Sequence, residues 1–407
     1  MRKPINLLLG NKIEVNRDLL LLLVIGGLYS LAIFLSNTFV NIYLWRQSND
    51  YLAIALYNLS IYIMQPLTFV VAGRIAKKLD RTIVLRLGVS FLALFFLTVL
   101  IVGGQAAQFN ILLGSLLGIG YGFYWLAFNV LTFEITEPDT RDFFNGFLGL
   151  MQSFAGMIGP VLAGYVISVA TNKTGYTIIF SLSFGLFICA VVSSFFLKKR
   201  PADGDFFFRK VLKFRKTNKN WRNILSAHIL QGLREGVFIF VISIWVFVAT
   251  GSEFALGKFN LVLSGCSFFS YYLATRIIKP HFRKRAILIA GLNLFAAIGL
   301  IVFQVNYTTL LVYGFFIGLS YPFFTVPYVS LTYDVIGMSE GARELRIEYI
   351  VVREFFLNAG RIISVSLFIL ATQLFVIDQV IPYLLLSFGA GHFLIYFFVR
   401  KIQLVSE

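Results

Sequence analysis

The sequence predicts an all-α membrane protein of about twelve transmembrane helices in two pseudo-symmetric six-helix bundles, on the strength of its composition, its apolar runs and an internal repeat. Composition excludes most alternatives. The 407 residues are 58% hydrophobic and 13% charged, with a mean hydropathy of +0.82, so polar side chains are too few to cover a water-facing surface. Lipid is therefore the expected solvent. The net charge of +16 would suit a nucleic-acid binder only if the basic residues gathered on a soluble face, and here they are spread between apolar runs. The two cysteines, Cys189 and Cys266, both fall inside predicted spans, which leaves no disulfide framework and no metal-ligand spacing.

Apolar runs of spanning length lie near 19–45, 51–73, 83–103, 109–133, 144–170, 176–197, 224–249, 255–278, 286–304, 308–333, 355–376 and 380–399. A backbone crossing hydrocarbon must satisfy its own hydrogen bonds, which makes each run a helix. No soluble domain fits between them. The N-terminal stretch has no small-residue cleavage site after a single short apolar core, so no signal peptide is expected. The predicted organisation is a bundle over 1–197, a basic linker over 198–222 and a second bundle over 223–407. With both termini cytoplasmic, 30 of the 35 lysines and arginines fall on the inner side and three (Arg46, Lys173, Lys258) on the outer, the bias expected of a cell-membrane protein so oriented. The linker interleaves Phe206, Phe207, Phe208, Phe214 and Trp221 with ten basic residues, a pattern that suits anionic headgroups better than nucleobases.

The two halves repeat. Gly118, Tyr121, Phe123, Leu131, Thr132 and Glu134 match Gly318, Tyr321, Phe323, Leu331, Thr332 and Asp334 at a constant offset of 200. The loop after the second span, with Gly73, Arg74, Lys77 and Arg81, is echoed after the eighth by Arg276, Lys279 and Arg283 at an offset of 202. A duplicated six-helix unit explains both.

A basic loop between spans two and three, repeated between eight and nine, resembles the signature of the major facilitator superfamily. Gly73 and Arg81 match the family's loop motif, whereas Lys77 stands where the family has an acid and Asp80 where it has a second glycine. In span five, Gly146, Ala155, Gly159, Pro160, Ala163 and Gly164 follow the spacing of the family's antiporter motif, with alanine twice replacing glycine. Small residues of this kind let membrane helices approach closely. The resemblance is to bacterial proton-coupled efflux members, and it implies a secondary transporter that rocks two bundles about a midplane cavity. It also implies that the first, fourth, seventh and tenth helices line the cavity, with protons and a small molecule as partners and a monomeric state.

Polar groups at membrane depth mark a pathway because burying them costs free energy. Span seven places His228, Gln231 and Glu235 on one face, with Arg234 beside them; Glu235 is the principal proton-coupling candidate, and the alternative is a static ion pair with an arginine on another helix. In span eleven Glu354, Asn358 and Arg361 share a face, and Arg361 is placed either to grip an anion or to pair with Glu235. Arg353 and Glu354 lie either in the membrane or at its surface. Ser30, Asn37 and Asn41 form a polar stripe on span one, which the resemblance sets beside Tyr121, Trp125, Phe128 and Thr132 of span four and Tyr321, Thr325, Tyr328 and Thr332 of span ten. Asn129 and Gln152 are further cavity candidates. Aromatic walls with sparse amides suit an amphipathic substrate, and plain helix packing is the alternative. Glu134 and Asp334, at helix C-termini where the dipole disfavours an anion, call for basic partners; Arg81 and Arg283 are the natural ones, and would form an inner gate.

No phosphate-cradling loop and no Ser/His/Asp or metal-ligand cluster occurs in a soluble segment, so the reading is not of an enzyme and includes neither cofactor nor metal. Proton-coupled export of an amphipathic molecule leads. Uptake, a lipid flippase and a non-transporting sensor on the same fold are the alternatives.

Overall fold

A computed structural model describes residues 16–135, 138–170, 174–200, 204–303 and 305–404, and these are helical almost throughout. The helices are α1 Arg17–Ser48, α2 Tyr51–Lys78, α3 Arg81–Val102, α4 Asn110–Ile135, α5 Pro138–Val169, α6 Thr174–Ser194, the short α7 Phe208–Phe214, α8 Lys219–Thr250, α9 Glu253–Ile277, α10 Arg283–Ala296, α11 Gly299–Val302, α12 Tyr307–Gly337, α13 Arg346–Leu374, α14 Ile377–Gly389 and α15 Gly391–Val399. Among the described residues, eleven helical segments are long and apolar enough to cross a membrane. The expected span at 255–278 is the helix α9, whose lysine, asparagine, serines and tyrosines keep it outside those eleven. The ninth and twelfth expected spans are each interrupted, as α10 with α11 and as α14 with α15.

Helix ends follow local chemistry. Asn16, Asp50, Asp80, Asn218, Ser252 and Asn306 each turn a side-chain oxygen onto an early backbone N–H of the helix they precede, which satisfies a donor the helix itself cannot. The α1–α2 and α8–α9 connections share one design: a left-handed residue (Asn49, φ 48°, or Gly251, φ 62°) closes one helix and the next residue caps the other.

Packing has a regular plan. Helix α4 lies against α2 and α3, while α1 lies against α5 and α6 and α3 against α6; after the linker α12 lies against α9 and α10, α8 against α13 and α15, and α10 against α15. Two broad contacts join the helices before the linker to those after it, α5 with α9 and α2 with α13. Backbones meet closely where α5 crosses α9. A Cβ on Gly257 of α9 would stand 2.6 Å from the Pro160 carbonyl oxygen of α5, and one on Gly164 would strike that of Glu253. The outer surface is apolar, with Ile101, Phe154, Val248 and Phe269 all exposed, as lipid contact requires.

Candidate functional site

Helices α8 and α13 carry charged residues far from their ends, Arg234 and Glu235 on the first and Arg361 on the second. These helices touch backbone to backbone, because Gly232 and Gly236 of α8 face Leu357, Gly360 and Arg361 of α13, and a Cβ on Gly360 would strike the Ile229 carbonyl. At that separation an Arg361 Nη donates to Glu235 Oε2 at 2.6 Å, and both side chains are about four-fifths buried. Gln231 Nε2 donates to the other Glu235 oxygen at 2.7 Å, Arg361 also donates to Asn358 Oδ1 at 3.2 Å, and Asn358 donates to the Glu354 backbone carbonyl at 2.9 Å. Four of the expected residues thus form one network. Its opposite wall comes from α2, where Tyr62 donates to the Gly236 carbonyl (3.4 Å) and presents its ring to the Arg361 guanidinium, 5.4 Å from the ring centroid. Tyr121 of α4 stands within electrostatic reach of Arg361, and Tyr321 of α12 within reach of Glu235.

Other candidates sit differently from their expected places. His228 shares the helical face of Gln231 and Glu235, but its Nδ1 is engaged by the Ile224 carbonyl (2.8 Å) and the Tyr328 hydroxyl (2.9 Å), which turns the ring toward α12 instead of the acid. The Glu354 carboxylate is held by its neighbour Arg353 at 2.6 Å, so it does not join Asn358 and Arg361; long side chains let adjacent residues reach each other around the helix. Both lie within α13, which begins at Arg346, and Glu354 is buried there. Asn41 is buried and accepts from Asn58 of α2 at 2.9 Å, while Ser30 bonds its own helix at Gly26. Asn37, Asn129 and Gln152 are half-buried. Trp125 and Phe128 belong to a ring cluster with Tyr29 and Tyr124, in which Tyr29 stacks on Tyr124 at 3.9 Å, and this makes Phe128 part of the core of α1 and α4.

Arg234 is 6% exposed, and among the described residues no hydrogen bond or ion pair reaches it; its guanidinium lies 4.8 Å from the Phe238 ring centroid. A cation at membrane depth costs about 2.5–3.5 kcal/mol on insertion scales, and a ring face returns about 0.5–2 kcal/mol of it.

At the basic face the structure brings Arg81 to Glu134 (2.9 Å) and Arg283 to Asp334 (2.6 Å). These pairs tie α3 to α4 and α10 to α12, so each lies on one side of the linker and neither can latch the two sides together. Another pair does cross. Lys77 at the end of α2 meets the fully buried Glu348 of α13 at 3.3 Å, and its ammonium also donates to the Glu344 carbonyl at 2.5 Å. Sign is exchanged relative to the loop motif: lysine stands on the loop and the acid on the partner helix. The linker is built into this contact, since Phe207 N–H donates to Glu348 Oε1 (3.1 Å), Gly204 N–H donates to the Lys77 carbonyl (3.0 Å), and Phe206 lies where a Cβ on Gly73 would be, 2.7 Å away. A cavity of about 580 Å³ opens beside this strap, lined by Lys77, Arg81, Asp205 and Arg343 among others. At the opposite face Arg46 of α1 pairs with the buried Glu253 of α9 at 3.0 Å, and the Tyr176 hydroxyl donates to the same carboxylate at 2.8 Å.

Glu134 lies beyond the apolar stretch of α4, and burial lifts its carboxyl above the usual range although Arg81 and Arg200 pull it down. A folded-state pKa raised above the unfolded one gives stability that is full below the unfolded value and is lost as pH rises through the folded value. Glu134→Gln is therefore expected to flatten the decline in melting temperature between about pH 4 and pH 7, measured on the purified chain.

In α5, Gly159 packs on α1 at Phe34 and Leu35, and Gly164 packs on α9, so the small residues serve contacts on both sides of the linker. Pro160 lies inside α5, and Gly146 is helical, its surroundings lying outside the described residues. Tyr62, Lys77, Glu348 and His392 are the residues that sequence reasoning passed over as site components. For Tyr62 no signal existed; for Glu348 the signal was an acid two turns before Glu354 in an apolar segment.

Comparison with known proteins agrees with this architecture. The chain is 60% identical over 391 residues to the uncharacterized protein YqgE of Bacillus subtilis (strain 168), an alignment that takes in 96% of the chain and 91% of that protein. It is 61% identical over 194 residues, 48% of the chain, to an uncharacterized protein in the sodM 3' region of Geobacillus stearothermophilus, of which 91% is covered. The family model of the Major Facilitator Superfamily matches residues 19–364. The chain therefore belongs to the major facilitator superfamily, whose members are membrane transporters and not enzymes.

Proposed function

We propose that the chain is a proton-coupled antiporter that exports an amphipathic small molecule by alternating access. Two six-helix halves, 1–197 and 223–407, rock about the site, with the basic face, the 198–222 linker and both termini cytoplasmic. The matched packing of α1–α6 and α8–α15, and the repeated cap at the α1–α2 and α8–α9 turns, support the two halves. The count of basic residues on one face supports the orientation.

The observation that carries the reading is the Glu235–Arg361 pair, held between α8 and α13 and covered from the other half by Tyr62. An acid in that place responds to two opposed influences. In this arrangement Arg361 balances the Glu235 charge; when a rocking motion draws Arg361 away, that charge needs another partner, either a proton or a donor group of the substrate. A proton and a donor group of the substrate then compete for one carboxylate, which is the thermodynamic content of antiport. Tyr62 gives the pair its link to rocking, because separating the halves removes both its hydrogen bond and its ring from the site. The end pairs, Lys77–Glu348 and Arg46–Glu253, join the halves at opposite faces, and alternate opening would break them in turn.

The test is proton movement in proteoliposomes holding the purified chain and a pH-sensitive dye. Amphipathic fluorescent compounds of either charge are added against an imposed gradient. At least one should dissipate the gradient with the intact chain and leave it undisturbed with Glu235→Gln. A panel that never moves protons, or a variant that couples as well as the parent, would sink the assignment.

A further inference from the structure

Arg234 is the cation to which the mechanism above gives no counter-charge. The acid next to it on α8, Glu235, is already engaged by Arg361. Its Nε is buried without a hydrogen-bond partner. Close by is a second orphan: His392 of α15 is fully buried, its two ring nitrogens have no partner, and Arg234 is within electrostatic reach of it. The fold places the two together deliberately. Gly391 brings α15 down onto the Leu230 carbonyl of α8, one turn before Arg234, and its own Cβ would stand 3.6 Å from that of Arg234. Phe324 of α12 stacks on the His392 ring at 4.5 Å, and Phe238 lies under the guanidinium.

We propose that Arg234 and His392 form the head-group subsite for an amphipathic organic oxyanion, a carboxylate or a phosphate monoester, whose apolar body lies against Phe238 and Phe324. The proposal rests on the transporter reading and names its substrate class. A guanidinium presents Nε–H and one Nη–H in parallel, the geometry that two oxygens of one such group accept. A neutral imidazole with both nitrogens free adds one N–H donor and is not committed to either tautomer. An incoming anion accepts from both orphans and neutralises the charge, whereas an incoming cation could donate only to the unprotonated imidazole nitrogen and would add to the repulsion from Arg234. Helix α15 starts directly after the break at Ala390, and α12 carries Pro322 and Pro327, so the two walls facing Arg234 are those with interrupted backbone bonding.

The experiment measures the melting temperature of the purified full chain in detergent at fixed ionic strength, with 4-phenylbutyrate, phenyl phosphate or 4-phenylbutylammonium as the probe. At least one of the two anions should raise it by about 2 °C or more at saturation, which also tells the carboxylate from the phosphate head, and the ammonium should not. Arg234→Gln and His392→Ala should weaken the effective anion at least tenfold, and Arg234→Lys should keep part of it. No shift from either anion, stabilisation by the ammonium alone, or an undiminished shift in Arg234→Gln overturns the proposal. The comparison of anions with the ammonium uses the unaltered chain, so it decides even if Arg234→Gln does not fold. Anion binding without proton movement would fail the transport reading and leave the subsite standing; cation-driven proton movement without anion binding would do the reverse.

Discussion

Glu235→Gln is expected to destabilise the purified chain by about 3–5 kcal/mol, because it leaves the Arg361 guanidinium buried without its counter-charge. The loss is larger than the worth of the pair. Desolvation of Arg361 is still endured in the variant, while its remaining close contacts, the Asn358 Oδ1 and the Tyr62 ring, carry no countering charge. Removing both charges, as Glu235→Gln with Arg361→Gln, should therefore recover most of the lost stability, since two amides can bond each other at the same place. The midpoint of unfolding in detergent, measured for both singles and the double, checks this. A double variant no more stable than Glu235→Gln would mean that the pair acts through the α8–α13 packing and not through charge. Recovery of stability without recovery of proton movement is the expected pattern if Glu235 is the coupling acid.

The second large effect is expected at the basic face. Glu348→Gln weakens the Lys77 contact across the halves and the bond to Phe207 N–H at one stroke, so the strap should loosen as a unit. With Phe206→Cys as a reporter, labelling by a membrane-impermeant maleimide should accelerate tenfold or more, which corresponds to about 1.4 kcal/mol of lost closure. Exchanging the two charges, Lys77→Glu with Glu348→Lys, should restore only part of the protection, because an ammonium at 348 cannot accept from the Phe207 N–H. Equal labelling in the parent and Glu348→Gln would remove the strap from any account of closure.

Most of the helical architecture was legible in the sequence, and for a definite reason. Lipid forces each long apolar run into a helix, and the runs are separated by polar or basic loops, so boundaries are sharp. Where the structure differs, the backbone is locally broken: interruptions at Ala297–Ile298 and at Ala390 fall within largely apolar segments, and hydropathy does not register such breaks. The site was legible in part. Gln231, Glu235, Asn358 and Arg361 were accessible because helical spacing puts them on facing stripes. Their common neighbour Tyr62 was not, since a tyrosine in a chain with 19 of them carries no mark of its own. Partner choice was likewise hidden: whether Arg361 grips an anion or takes Glu235 depends on how closely α8 approaches α13, which Gly232, Gly236 and Gly360 decide. The Arg81 and Arg283 pairs show the same limit, because an alignment of repeats finds equivalent contacts within each half and is blind to those made between halves.

The threading of residues 204–208 between the ends of α2 and α13 has a consequence for how this polypeptide tolerates change. Most connectors absorb inserted residues at small entropic expense, because their path is free to bulge. Here Gly204 and Phe207 are bonded in register to the two helices they pass, so the tether doubles as a gasket, and adding slack to it would spoil a seal as surely as altering the surfaces it closes.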